Sequence, residues 1–364
     1  MKTALVLGLL LPPVSHANPI EAPTVDSSVK TYSGRAYADY NYAYETARLM
    51  HAAIARFVAS PSEQNLEAAK EAWDFARSAY SPTEVYRFFE SPIDDADGPE
   101  GLINAWPLDE AYIDYVVGNK NAGIINDLAA YPEITKELLV SLNEKDGEKN
   151  VSTGFHAIEF LLWGQDFNPS GPGNRPVKDF IVGEGKNAGR RAQYLLAAAE
   201  LLVEHLESVR KDWEPGGAYA TEFSAGGIES LKKMLLGAFR LSGDELAHER
   251  MFVAYDTQQQ EDEHSCFSDT THLDFRYNFI GLRSVLQSKT GVVEVLRAVD
   301  PARAEALAAA EARAGEAVFA ILGPFDRAIY SPEGRAAILA AVTALEDLAA
   351  EIQAGAKALG IELE

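Results

Sequence analysis

The amino-acid sequence predicts an all-α fold made of two helical bundles. Apolar residues recur at helical spacing, and the first such stripe consists of Tyr40, Tyr44, Ala47, Met50, Ile54 and Phe57. Helix-start signals that combine serine, proline and glutamate recur at residues 60–63, 81–84 and 331–333. Alternating runs of β-branched residues, which are typical of strands, are absent from the sequence. The Glu-Pro-Gly-Gly run at 214–217 is the best boundary between the two bundles.

The chain begins with features of a secretory signal peptide at residues 1–17. Lys2 precedes a short apolar run, and Ser15-His16-Ala17 forms a small-x-small cleavage site. The run is too short to span a bilayer, and Asn18 after the cut argues against a lipoprotein anchor. Residues 18–34 are rich in proline, serine and threonine and predict a flexible leader. We therefore expect an exported protein of the periplasm or cell envelope.

The chain is strongly acidic, with 32 Lys and Arg against 55 Asp and Glu and a formal net charge of −23. Such a surface repels phosphate backbones and anionic lipid, which argues against nucleic-acid and membrane binding. It would also concentrate cations, although solubility alone explains the same charge. The single cysteine, Cys266, rules out an intramolecular disulfide.

The N-terminal bundle is predicted to cover residues 35–213. Its helices are expected at 37–59, at 61–80 and in a short piece from 81 that carries Glu84 and Arg87. Residues 91–107 contain too much proline, glycine and aspartate for regular structure, but their apolar residues, including Trp106, predict a packed loop that forms a wall of the site. Further helices are expected at 132–144 and 188–213.

Residues 153–163 predict a buried helix, because apolar side chains surround it on nearly every face. Within it, His156 and Glu159 lie about 60° apart around the axis, so the imidazole and the carboxylate reach one point in space. The pair is either half of a metal site or two buried polar groups that satisfy each other. The spacing leaves both interpretations open.

The C-terminal bundle is predicted to cover residues 218–364. Helices are expected at 228–241 and from 242 to 255, and the region 301–360 is alanine-rich helix broken at Gly323-Pro324. His264, Ser268 and His272 follow one another at four-residue steps, so a helix through them would place all three on one side with Asp269 adjacent.

Residues 154–159, Gly-Phe-His-Ala-Ile-Glu, match the GxHxxE signature of the imelysin-like proteins. The runs at 104–110 and 260–269 also resemble the branch of that family made of iron-regulated envelope proteins. The resemblance implies two related bundles that meet at an interdomain cleft holding the signature. It also implies iron or another divalent metal as cofactor, with zinc as an alternative, and envelope iron-uptake proteins as partners.

Three hypotheses follow for the function. In the favoured one, the protein is a non-enzymatic component of iron acquisition that binds a metal ion or an iron-bearing ligand through His156 and Glu159, while Gly154 allows close approach of another backbone or a ligand. The further candidate site residues are Glu84, Arg87, Asp109, His264, Asp269 and His272, with Arg87 pairing a carboxylate.

The second hypothesis is a zinc-type metallopeptidase, as the family's historic name implies, with Glu84 or Glu110 as general base. It is less favoured because zinc-peptidase helices carry a second histidine four residues after the first, where this chain has Phe160. In the third hypothesis the pair is a structural bridge between the bundles. Cys266 is either a soft ligand or a buried thiol.

Overall fold

The computed structural model describes residues 22–168 and 171–363, and the regular secondary structure within those ranges is helical. No strand forms within those ranges; they contain only two isolated bridges, Val116 to Asn119 and Val182 to Gly185. The helices of the first half are α1 (Ala22–Ala59), α2 (Glu63–Tyr80), α3 (Glu100–Ile103), α4 (Glu110–Ile113), α5 (Lys136–Leu142), α6 (Gly154–Trp163) and α7 (Ala188–Asp212). Those of the second half are α8 (Ala218–Ala225), α9 (Ile228–Arg240), α10 (Val253–Thr257), α11 (Thr271–Leu286), α12 (Val292–Arg297), α13 (Pro301–Ala320), α14 (Phe325–Tyr330) and α15 (Pro332–Ala358).

Helix α1 is longer than the sequence predicts. It begins at Ala22, so the expectation of a flexible leader as far as residue 34 is wrong from that residue onward. The physical reason is an apolar stripe, Val25, Val29, Tyr32 and Ala36, which continues the helical spacing and is buried. The predicted signal peptide lies outside the described residues.

The predicted helix-start signals act as N-caps. Ser62 accepts a hydrogen bond from the Asn65 amide at 3.2 Å, and Ser331 accepts one from the Gly334 amide at 3.1 Å. The signal at 81–84 instead begins a 3₁₀ turn, Ser81–Tyr86. Two further 3₁₀ turns lie at Val177–Phe180 and Gln260–Asp262.

The helices pack into two groups that share α1. In the first group α1 packs against α2 and α7, and the motif helix α6 packs against α2 and α7. In the second group α15 packs against α9, α13 and α14, and α11 packs against α13. Helix α1 also packs against α8 and α9, and the Ser81–Tyr86 turn packs against α11. In the part of the chain that the structure describes, no helix combines the length and apolarity needed to cross a membrane.

Between α9 and α10 the chain forms a π-helical segment, Leu241–Phe252. At its end the Val253 amide donates to the His248 carbonyl, five residues earlier. This wide turn brings Arg250 within 2.7 Å of Glu245, also five residues apart.

The helix predicted through His264, Ser268 and His272 does not form. Residues 263–269 make turns, and α11 begins only at Thr271. Asp269 has a left-handed backbone with φ 60°, which ends helical continuation at that point. His264 and His272 therefore do not share one helix face.

Candidate functional site

The motif helix α6 is buried along its whole length. Gly154 begins it with φ 80°, and a Cβ at this position would lie 2.4 Å from the carbonyl oxygen of Ile103. Glycine is therefore needed both for the backbone conformation and for the close approach of the chain at the end of α3. This contact holds the loop that carries Trp106 against the start of α6.

His156 and Glu159 contact each other one turn apart in α6. His156 Nδ1 lies 2.9 Å from Glu159 Oε2, and both side chains are fully buried. The other carboxyl oxygen, Oε1, accepts hydrogen bonds from the Ser268 amide at 2.9 Å and the Ser268 hydroxyl at 2.7 Å. Glu159 thus joins the motif helix to the turn before α11, and both of its oxygens are engaged.

The pair is neutral at neutral pH. Burial, with a further contribution from Asp274, raises the pKa of Glu159 to about 8, although the Ser268 hydrogen bonds oppose the shift. Burial and the positive charge of Arg77 hold the pKa of His156 well below its usual range. In this neutral pair the carboxyl proton on Oε2 is donated to Nδ1, and the imidazole proton lies on Nε2. Loss of one proton makes Glu159 a carboxylate that accepts from Nδ1–H, and Nε2 then presents a lone pair.

The Nε2 atom of His156 is buried and has no hydrogen-bond partner within the described ranges. Two rings lie beside the imidazole: the centroid of His264 at 4.7 Å and that of Trp106 at 5.2 Å. A buried ring nitrogen without a partner is costly unless a ligand or water occupies its free side. This atom is therefore the candidate binding position of the site.

His264 belongs to a second buried network centred on Asp274. Arg77 donates to Asp274 at 2.9 Å and lies 3.0 Å from His264 Nδ1. Burial, Arg250 and Arg77 lower the pKa of His264 to about 4, so this imidazole is also neutral. Burial opposes ionisation of Asp274, but Arg77 and His264 hold its pKa well below the usual range.

Glu84 and Arg87 form a third cluster next to these two. Glu84 accepts from Arg87 and from Arg250, each at 2.6 Å, and from Asn104 at 3.2 Å. Burial opposes its ionisation, yet the two arginines hold the pKa of Glu84 far below its usual range. A carboxylate so strongly stabilised as the anion is a poor general base.

A cavity of about 300 Å³ opens beside His264 and Trp106. Its wall combines Glu144 with residues from the 87–107 and 245–264 segments, which are distant in the chain. Two arginines, Arg87 and Arg250, line this cavity. They are outnumbered by five carboxylates: Glu100, Glu144, Glu245, Glu249 and Asp262. The surroundings favour a cationic ligand.

The other predicted site residues lie elsewhere. Asp109 is exposed and caps α4 by accepting from the Ala111 amide at 2.9 Å. Asp269 belongs to an acidic group with Asp166 and Asp326, and His272 is half-buried against Gly323. The structure therefore brings together His156, Glu159 and His264, with Glu84 and Arg87 adjacent, and separates the remaining candidates.

Glu110, the other proposed base, is half-buried at the start of α4. Burial raises its pKa, and the groups that act on it most strongly are Gln165, Glu261 and Asp109 rather than His156.

Sequence reasoning missed Arg77, Asp274 and Arg250, which tie the site together. A signal for two of them exists. Arg77 lies four residues after the buried Trp73, and Asp274 precedes the buried Phe275, so each is a charge on an apolar face that needs a buried partner. The identity of that partner, nearly two hundred residues away in the chain, has no local signal.

The arrangement fits a metal only in part. Nε2 of His156 is a suitable donor for a divalent ion such as ferrous iron or zinc, and Glu159 orients the ring through Nδ1 as outer carboxylates do in metal sites. Among the described residues, however, no three His, Cys, Asp or Glu side chains are grouped so as to hold a metal ion. A metal here would take its remaining ligands from water or from a small molecule that carries it.

Comparison with known proteins identifies the family of this chain. The imelysin family model (peptidase M75) matches residues 36–352. Iron-regulated protein A of Synechococcus elongatus is 28% identical over 311 residues, which cover 80% of this chain and 74% of that protein.

Two solved structures share the fold. An iron-regulated protein A precursor from Parabacteroides distasonis has a TM-score of 0.73 at 17% identity. The match covers 96% of this chain and 98% of that one. An imelysin-like protein from Psychrobacter arcticus has a TM-score of 0.71 at 15% identity, with 96% of this chain and 99% of that one covered. Because the family model matches most of its length, this chain belongs to the imelysin family.

Proposed function

We propose that this protein is an exported, non-enzymatic component of iron acquisition. It binds iron or another divalent metal, either as the ion or within a small iron-bearing ligand, at His156 and the adjoining acidic cavity. The observation that carries the proposal is the buried Nε2 atom of His156, which has no partner in the described part of the chain.

Each residue has a defined role in this proposal. His156 supplies the donor atom Nε2, the ionised Glu159 accepts the hydrogen bond from Nδ1–H and orients the ring, and Ser268 holds Glu159 in place. His264 is the nearest second imidazole. The carboxylates of the cavity attract the cation, and Trp106 forms the apolar wall beside both rings.

The exported location is supported by the signal-like residues 1–17 and by the structural relative from Parabacteroides distasonis, which is a precursor protein. The link to iron is supported by the descriptions of two relatives as iron-regulated proteins. Envelope proteins that deliver or receive iron are the corresponding partners. Peptidase chemistry gains no support from the carboxylates, because Glu159 and Glu84 are both held by strong hydrogen bonds.

The test is calorimetric titration of the purified protein with ferrous iron, ferric citrate and zinc, together with elemental analysis. We expect one metal per chain, loss of binding in His156→Ala, and about tenfold weaker binding in Glu159→Gln, the usual effect of changing an outer-shell partner. The exposed His248→Ala variant is the matched control and should bind normally.

Equal binding by the His156→Ala variant, or no binding of any of the three metals by the native protein, would overturn the proposal. A peptide-cleavage assay on the same samples separates the enzymatic alternative, since cleavage that disappears in His156→Ala would identify a metallopeptidase instead.

A further inference from the structure

A cavity of about 690 Å³ lies at the other end of the motif helix. It is formed by the segment after α4, the segment after α6 and the start of α7, all within the first helix group. Its volume is typical of small-molecule sites. The metal proposal makes no use of it.

The charge of this cavity is opposite to that of the protein. Five of its sixteen lining residues are cationic and one is acidic: Lys120, Arg175, Lys178, Lys186 and Arg191 against Asp179. In the whole chain, acidic residues outnumber basic ones by 55 to 32. In this cationic cavity the local field favours an anion, although the protein as a whole is acidic.

The two arginines and the three lysines contribute differently. Arg175 and Arg191 donate to the buried Asp114 at 2.8 and 2.7 Å, and Arg175 also lies 3.5 Å from Asp179, so the two carboxylates largely neutralise the two guanidinium charges. Lys186 donates only to neutral oxygens, the Lys120 carbonyl and the Asn121 side chain.

The ammonium groups of Lys120 and Lys178 make no ion pair with any described residue. The excess positive charge therefore lies on three exposed lysines around the opening.

The lining also contains a buried donor without a partner among the described residues. Arg175 is 3% exposed and lines the cavity, and its Nε–H has no hydrogen-bond partner among the residues that the structure describes. Burying an unpaired guanidinium donor is unfavourable without a ligand acceptor. This group is independent of the lysines at the rim.

The rest of the lining is apolar and partly aromatic. Trp163 and Tyr115 form part of the wall, and Phe167 and Val117 leave 66% and 78% of their surface exposed at the opening. Exposed apolar side chains beside cations match a ligand with a flat apolar body and an acidic group.

We propose that this cavity binds a small organic anion in which a carboxylate or similar acid is attached to a planar apolar body. The acid lies among Lys120, Lys178 and the Arg175 Nε–H, and the apolar body lies against Trp163 and Phe167.

The experiment is calorimetric titration of the full protein with 2-naphthoate, with neutral 2-naphthamide and with inorganic phosphate. We expect saturable binding of one naphthoate per chain and at least about tenfold weaker binding of the other two, because each lacks one half of the recognised chemistry. Lys120→Glu/Lys178→Glu should weaken naphthoate binding at least about tenfold, and Phe167→Ala should weaken it as well.

The matched control is Lys145→Glu/Lys289→Glu, which changes the net charge equally at exposed lysines outside the cavity. It should bind naphthoate normally, as should His156→Ala, which makes this test independent of the metal proposal. Circular dichroism establishes that each variant is folded. Equal affinity for naphthamide, equal weakening in the control, or no naphthoate binding by the native protein would overturn the inference.

Discussion

At the scale of single residues, a group of buried carboxylates lies beside the turn that precedes α11. Glu263 is fully buried, and neither of its carboxyl oxygens has a geometric hydrogen-bond partner within the described ranges. Burial raises its pKa well above the usual value, as do Asp326 and Asp269. Carboxyl groups placed together in this way remain neutral by holding protons.

Asp269 gives a pH-dependence prediction. Burial, Asp326 and Asp166 raise its pKa to about 7 from 3.8. A carboxyl whose pKa is raised on folding contributes stability that is present in full below about pH 4 and is lost as the pH rises through about 7. Asp269→Asn removes this loss, and asparagine tolerates the left-handed backbone at φ 60°. The variant should therefore gain stability relative to the native protein as the pH rises from 4 to 8.

Denaturant unfolding at several pH values measures this difference. Asp97→Asn is the control, because Asp97 is exposed, and its difference from the native protein should stay constant. A constant difference for Asp269→Asn would show that Asp269 is already ionised in the folded state at pH 5.

At the scale of elements, the first turns of α1 are an integral part of the core. Tyr32 is 3% exposed and lies against Tyr86, Trp213 and Phe223, with ring centroids 5.1, 6.2 and 5.3 Å away. These rings come from the Ser81–Tyr86 turn, the end of α7 and α8. The first turns of α1, which the sequence predicts to be a flexible leader, therefore contact three separate elements.

Tyr32→Ala should lower the free energy of unfolding by about 3 to 5 kcal/mol, the usual loss for a buried aromatic side chain. Thermal and denaturant unfolding give the value. Tyr42→Ala is the control on the same helix, because Tyr42 is 51% exposed, and it should change stability by less than about 1 kcal/mol. Similar effects of the two substitutions would contradict the packing of the first turns.

At the scale of the whole molecule, the two helix groups meet through buried polar contacts as well as apolar ones. Arg77 of α2 binds Asp274 of α11, Glu84 binds Arg250, and Glu159 binds Ser268. Each contact joins residues more than one hundred positions apart in the chain. Separating the groups would break all three of these buried contacts at once.

Arg77→Met should therefore destabilise the protein by about 3 to 5 kcal/mol, since it leaves Asp274 buried and unpaired. The double variant Arg77→Met/Asp274→Asn should recover part of that loss, because it removes the stranded charge. Chemical denaturation of the two single variants and the double variant gives the coupling energy. Purely additive losses would mean that the ion pair does not stabilise the contact between the groups.

The sequence predicts the helices of this protein well because their signals are local. Ser62 and Ser331 mark helix starts within four residues, and the apolar positions of α7 repeat every turn. The partners of the site are different. The packing of distant segments decides which residues contact the motif helix. It brings Ser268 to Glu159, and it places His264, rather than His272, beside His156. The family resemblance locates the motif helix, but the spacing of His156 and Glu159 does not identify the residues that contact them.

The π-helical segment at Leu241–Phe252 affects how this chain is to be aligned with others. Each of its turns contains about one residue more than a turn of an α-helix. Glu245 and Arg250 therefore face each other although they are five residues apart, whereas ion pairs within an α-helix join residues three or four apart. A relative whose corresponding segment is α-helical would need a gap here to keep Arg250 opposite Glu84. Insertions and deletions in this stretch therefore carry information about the site that residue identities do not.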